Sequence, residues 1–209
     1  MAIQGLGNGE RAALVISECQ QAMTVEVYRT ARDELAAQVR DRGIIPAIVE
    51  LARGFRAAGL PVIHSHLAPR DDWSGFRVNC ALAGVLKRTG HVCDGHPASQ
   101  SHPDLPVEPG DHVIRRRTGM TTFYGTEADA LLRAEHIDTV VVVGVSTNVA
   151  VYGTVLEAVN RAYNVVVPTD CIAGVGDGQH VVAETLLPLL AAMTDRAAIL
   201  GVLSAAPGA

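Results

Sequence analysis

Short β-branched apolar runs alternate along this chain with longer segments whose apolar residues recur every three or four positions. Residues 12–17 and 139–143 are continuous apolar runs, which predict strands buried on both faces. Ile44, Ile48, Leu51 and Phe55 follow four-three-four spacing and predict a helix that Gly59 ends, ahead of a second strand at 61–66. Residues 67–110 are rich in Pro, Gly, His and Ser and predict a surface excursion carrying one short helix over 80–87. A third strand is expected at 111–116. Thr126-Glu127-Ala128-Asp129 then has the spacing of a capping box that opens a helix through Leu131 and Leu132. The fourth strand, 139–143, leads into a helix through Val155, Leu156 and Val159. A fifth strand at 163–168, a helix through Val181, Leu186 and Leu190, and a sixth strand at 198–200 complete the pattern.

Repeated β-then-α order implies right-handed crossovers and a sheet covered on both sides. The expected architecture is therefore a three-layer αβα sandwich around a six-stranded, mainly parallel, Rossmann-like sheet, in one domain spanning residues 1–209. In such a sheet ligands bind at the carboxyl ends of the strands, beside the point where the strand order reverses.

Composition narrows the partners. With 209 residues the chain is long enough to bury a sizeable core without disulfides or metal, and its 4% aromatic content points to small aliphatic side chains in that core. A net charge of −5 argues against nucleic acid or an anionic membrane as partner. No apolar run reaches the ~18 residues that span a bilayer, and the first ten residues lack the pattern of a signal peptide, so a cytoplasmic protein is expected. Cys19, Cys80, Cys93 and Cys171 show no zinc-site spacing and read as reduced thiols. His64 and His66 share a strand face, but a third ligand is not evident, so neither a metal nor another cofactor is expected.

Three segments carry candidate chemistry. Gly144-Val145-Ser146-Thr147-Asn148-Val149-Ala150-Val151 opens a helix directly after the fourth strand, with Thr147 and Asn148 as capping residues. The helix start presents unpaired N–H groups and a positive dipole end, which favour an anion or oxyanion. Glu18 follows the first strand, where a carboxyl can act as general acid or base. Arg117 ends the third strand, and its permanently charged planar fork suits a carboxylate, either on a substrate or on Glu18.

Together these segments resemble the isochorismatase-like hydrolases, the family that also contains nicotinamidases and N-carbamoylsarcosine amidohydrolase. Gly144, Val145, Thr147, Asn148, Ala150 and Val151 match the family's G-V-x-T-D/N-x-C-V, with Ala150 where the nucleophilic cysteine stands. The segment from Arg117 through Phe123 and Tyr124 to Thr126 is similar to K-x-x-x-S-A-F-x-G-T, with Arg117 at the lysine position. The segment 14–20 is similar to L-V-I-D-x-Q, with Glu18 at the aspartate. The resemblance covers nearly the whole chain. It implies strand order 3-2-1-4-5-6, a cis peptide before Ser146, backbone donors at Ser146 and Ala150, and a homodimer or homotetramer. It also implies that all three positions of the Asp-Lys-Cys triad have changed.

The leading expectation is a hydrolase acting on a small, carboxylated substrate without a cysteine nucleophile. Isochorismatases proper also lack that cysteine and hydrolyse a vinyl ether after protonation by an acidic residue. Glu18 would move the proton, Arg117 would bind the anion, and Ser146, Thr147, Phe123 and Tyr124 would contact substrate. One alternative is a catalytically silent binding or assembly protein that keeps the fold and an anion pocket. Another is a cysteine amidohydrolase using a displaced thiol such as Cys171.

Overall fold

A computed structural model describes residues 3–28 and 34–205. Its centre is β1 (Ala12–Ser17), flanked by β2 (Val62–Leu67) and β4 (Thr139–Val145). With β3 (His112–Arg116), β5 (Asn164–Pro168) and β7 (Ala192–Thr194) the sheet runs 3-2-1-4-5-7, while the two-residue β6 (Ile172–Ala173) pairs with the end of β4. Every pairing is parallel.

The period of two explains how these apolar runs sort themselves. Leu14, Ile16, Val141 and Val143 face a core completed by α3 (Ile44–Ala57) and Ile199 of α8 (Arg196–Ala205). Ala13, Val15, Val140 and Val142 face a second core, built with Leu132 of α5 (Ala128–Ala134) and Val155 and Ala158 of α6 (Tyr152–Asn160). These are the two helical layers of the sandwich. Where α3 crosses α8, the Leu200 side chain packs into the space that a Cβ on Gly54 would fill.

The expected strand at 198–200 is corrected: those residues lie inside α8, and the sixth place in the main sheet order belongs to β7. Asp195 Oδ1 accepts the Ala198 N–H at 2.8 Å, an N-cap bond that commits the segment to helix. The capping box at Thr126 forms only in part. Thr126 Oγ1 accepts the Ala128 N–H at 3.2 Å, but Asp129 accepts the Tyr163 hydroxyl at 2.9 Å instead of reaching back.

Residues 68–111 form the excursion, with α4 (Ala81–Thr89) capped by Cys80 Sγ. Gln20 fastens it. This fully buried amide donates to Leu67 O and Ser99 O at 2.9 and 2.7 Å and accepts the Leu67 N–H at 2.8 Å. One side chain thereby joins the exit of β1, the end of β2 and the excursion, above the carboxyl edge of the sheet.

Candidate active site

Glu18 leaves β1 with φ +50°, and its N–H donates to Ser65 O at 3.0 Å, so the turn is clamped to the end of β2. Its carboxylate Oε1 accepts from Arg116 Nη2. Arg116 is fully buried, whereas the Glu18 side chain keeps 11% of its surface. The pair joins the ends of β1 and β3 across β2.

This corrects the assignment of Arg117 as the partner of Glu18. Along β3 the residues alternate, with Ile114 buried, Arg115 exposed and Arg116 buried, so Arg116 is the arginine turned inward. Counting back from Phe123 carries the register through irregular turns, where sequence spacing does not fix the facing of a side chain. Arg117 is half-exposed; its Nη1 donates to Ala68 O at 2.9 Å and lies 2.7 Å from Asp94 Oδ2. The hydrogen bond from Arg117 is the main reason that the Asp94 carboxyl is held below the usual carboxylate range. Arg117, Arg70, Asp71, Asp72 and Asp94 line a polar cleft of about 370 Å³.

The third strand end brings in Ala150. β4 finishes in a cis peptide between Val145 and Ser146, at the position the resemblance implies. The chain then makes one wide helical turn, Thr147–Val151, that continues into α6. Ser146 O accepts the N–H groups of Val149 and Val151, each at 3.1 Å, and Ala150 is buried within this turn. Thr147 and Asn148 do not cap the helix: Ser146 holds the cap position without a side-chain bond, and Asn148 Nδ2 donates to Val175 O at 3.3 Å. β4 lies against β1 with Gly144 opposite Ser17. A Cβ on Gly144 would stand 2.2 Å from Ser17 O, and its φ is +103°, so the approach of the two strand ends requires glycine there.

Beneath the site runs a chain of hydroxyls. Thr154 Oγ1 donates to Thr122 Oγ1 at 3.1 Å and Thr122 Oγ1 donates to Ser65 Oγ at 3.0 Å, tying α6 and the loop after β3 to β2. The two aromatic candidates are not brought into this arrangement. Phe123 is buried in the second core, stacked on Tyr163 at 6.1 Å with the Arg161 guanidinium 4.8 Å from its ring centre. Tyr124 is 60% exposed and covers Gly119. Phe123 is thus placed as a structural contact, as expected when an aromatic packs a helix layer, while Tyr124 lies at the surface.

His64 and His66 are buried in a polar network on the α3 side. His64 Nε2 lies 3.2 Å from Asp111 Oδ2, Asp111 is held bidentately by Arg56, and Ser101 Oγ lies 3.0 Å from His66 Nε2. Burial pushes His66 down to about 3, helped by His64, Arg115 and Arg116. Among the described residues, no group of three or more His, Cys, Asp or Glu is placed to hold a metal ion. Two of the buried thiols, Cys19 and Cys171, are held in the protonated form. Burial, then the charge of Glu18, pushes Cys19 up to about 12, while burial and then Asp170 raise Cys171. A raised thiol pKa leaves little thiolate for attack.

Sequence reasoning missed Arg116 and Gln20. The glutamine was visible in the Glu18-Cys19-Gln20 match, whereas the facing of Arg116 depends on where β3 ends.

The Isochorismatase domain matches residues 12–198, and the chain belongs to the isochorismatase family. It is 30% identical over 132 residues to the isochorismatase family protein YecD of Escherichia coli, covering 63% of this chain and 67% of that one. It is 32% identical over 191 residues to the ureidoacrylate amidohydrolase RutB of Methylobacterium radiotolerans, covering 79% and 71% of the two chains. A cysteine hydrolase from Pseudomonas syringae pv. phaseolicola shares the fold, with a TM-score of 0.79 at 22% identity over 94% of each chain.

Proposed function

We propose that this isochorismatase-family chain is a hydrolase of small carboxylated substrates that works without a cysteine nucleophile, with Glu18 as its acid or base. The observation that carries the reading is the buried Glu18–Arg116 pair at the carboxyl edge of the sheet, with Ala150 in the helix start where the family pattern has cysteine. An alanine side chain forms no covalent intermediate, and Cys19 and Cys171 are buried with raised pKa, which counts against a displaced-thiol route through either of them. Proton transfer and oxyanion stabilisation remain.

In this reading Arg116 holds the Glu18 carboxylate in place through one oxygen and leaves Oε2 for proton transfer. The backbone N–H groups of Ser146 and Ala150 receive the oxyanion or the substrate carboxylate, because the first turn of a helix leaves N–H groups without intrahelical acceptors. Thr147 lines that turn. Arg117, in the polar cleft, supplies a guanidinium to the anionic end of the substrate. Similarity to an amidohydrolase supports an amide or ureido bond as the one cleaved.

The test is a panel of small carboxylated amides, ureido acids and vinyl ethers. Hydrolysis that survives iodoacetamide, and is lost in a folded Glu18→Gln/Arg116→Met double variant, is the expected result. Hydrolysis abolished by iodoacetamide, or a panel that is bound but never turned over, would overturn the reading; the second outcome would favour the silent binding protein.

A further inference from the structure

Arg116 is a cation with no exposed surface, and Glu18 engages only one of its nitrogens. Its Nε and Nη1 are buried without a hydrogen-bond partner among the described residues, and so is Ser17 Oγ. The sheet register puts the residues that carry these atoms at the same carboxyl edge, two strands apart. Ser17 lies opposite Ser65 across β1 and β2, Leu67 lies opposite Arg116 across β2 and β3, and Arg116 reaches over the end of β2 to the residue after Ser17. Ser65 Oγ, on β2 between them, accepts from Thr122 and has no hydrogen bond with Arg116.

Leaving a buried donor unsatisfied is costly, and more so when the donor is charged, so an arrangement of this kind implies an occupant. Charge balance selects its chemistry. Glu18 already neutralises the guanidinium, so an anion would leave the buried site with uncompensated negative charge, whereas a water molecule would not. Water also matches the donor and acceptor pattern: its lone pairs accept from the guanidinium N–H groups, and its hydrogens can reach Ser17 Oγ and a carboxylate oxygen. Resting on the reading of Glu18 as acid or base, we propose that Arg116 Nε and Nη1, with Ser17 Oγ, hold one internal water beside Glu18, and that this water is the nucleophile of the hydrolysis.

For an amide substrate the step balances. The water oxygen forms a bond to the carbonyl carbon, its proton passes to Glu18 Oε2, and the π pair moves to the carbonyl oxygen at the helix start. Collapse re-forms the carbonyl, breaks the carbon–nitrogen bond and returns the proton from Glu18 to the leaving amine. Ser17 has a distinct place here: it orients the attacking oxygen, touches no part of the substrate skeleton, and can be shortened to alanine without leaving a charge unpaired.

A crystal structure of the unliganded protein at a resolution that shows ordered water, with kinetics of Ser17→Ala, tests this. The expected result is a water within about 2.7–3.2 Å of Ser17 Oγ and of an Arg116 nitrogen, together with a kcat at least tenfold lower in Ser17→Ala at a KM within about twofold of wild type. No ordered water there, a halide in its place after a bromide soak, or an unchanged kcat in Ser17→Ala would each overturn the proposal. The two readings fail separately. Activity lost in the Glu18→Gln/Arg116→Met variant but kept in Ser17→Ala rejects the water site alone. An ordered water in a wild-type protein that hydrolyses nothing rejects both the proposed function and the nucleophilic role.

Discussion

Replacing Glu18 by Gln keeps the length of the side chain and removes its charge, and the structure makes this a change in stability before it is a change in catalysis. Arg116 has no surface of its own through which to recruit solvent, and Glu18 is its counter-ion. Removing one member of a buried ion pair typically costs about 3–5 kcal/mol, because the remaining charge stays in a medium that solvates it poorly. At roughly 2–4 °C per kcal/mol for a chain of this size, Glu18→Gln should lower Tm by roughly 6–20 °C. The converse variant, Arg116→Met, should cost less, since the Glu18 carboxylate lies at the edge of the site and can turn to water. The double variant should recover most of the loss, because it removes both charges and leaves an uncharged amide only at position 18, where the side chain keeps some exposed surface. Urea denaturation followed by far-UV circular dichroism gives the three free energies and their coupling. A Glu18→Gln protein within about 1 kcal/mol of wild type, or a double variant less stable than either single one, would refute the claim that the pair is buried and mutually dependent.

Gly144→Ala should destabilise by about 3 kcal/mol or more, combining a clash at Ser17 O with an unfavourable positive φ, and a Tm equal to wild type would contradict the close strand approach. Ala150→Cys alone should not create efficient amide hydrolysis, because a glutamate and an arginine stand where the family pattern has aspartate and lysine, and the proton-transfer geometry that a thiolate requires is changed with them; vigorous amidase activity from that change would show that only the nucleophile is missing. Burial holds His66 near 3 against an ordinary value of 6.5, so its stabilising contribution is complete above pH 6.5 and declines as pH falls toward 3. The unfolded chain gains a proton there that the folded chain does not, at up to about 1.4 kcal/mol per pH unit. His66→Gln should flatten the stability curve between pH 6 and 5, and an unchanged slope would show that His66 titrates normally. Light scattering at micromolar concentration should report a homodimer or homotetramer, and a species of 22.0 kDa alone would reject assembly.

Much of the fold was legible because β1 and β4 are apolar on both faces, which happens when helices cover both sides of a parallel sheet. The short segment 198–200 was not. Three apolar residues carry no period, and only the Asp195 cap separates helix from strand there. Glu18 was readable because it directly follows a strand, and Ala150 because it lies in the motif that opens the helix after β4. Arg116 was not, because an error of one residue in a strand inverts the facing of the side chain, and the irregular stretch before Phe123 hides that error. The network from Arg56 through Asp111 and His64 joins residues 47 to 55 positions apart and leaves no local signature. Phe123 illustrates the same limit from the other side, since its partners Tyr163 and Arg161 lie on a distant segment.

Under the proposed function, turnover passes through no bond to a cysteine. The most direct test of this is the intact mass of the protein, acid-quenched during turnover of the best-hydrolysed carboxylated substrate, with the rate measured before and after iodoacetamide treatment. The account predicts an unmodified chain mass at every time point and an undiminished rate once the exposed Cys80 is alkylated. An acyl adduct that maps to Cys19, Cys80, Cys93 or Cys171 would contradict it.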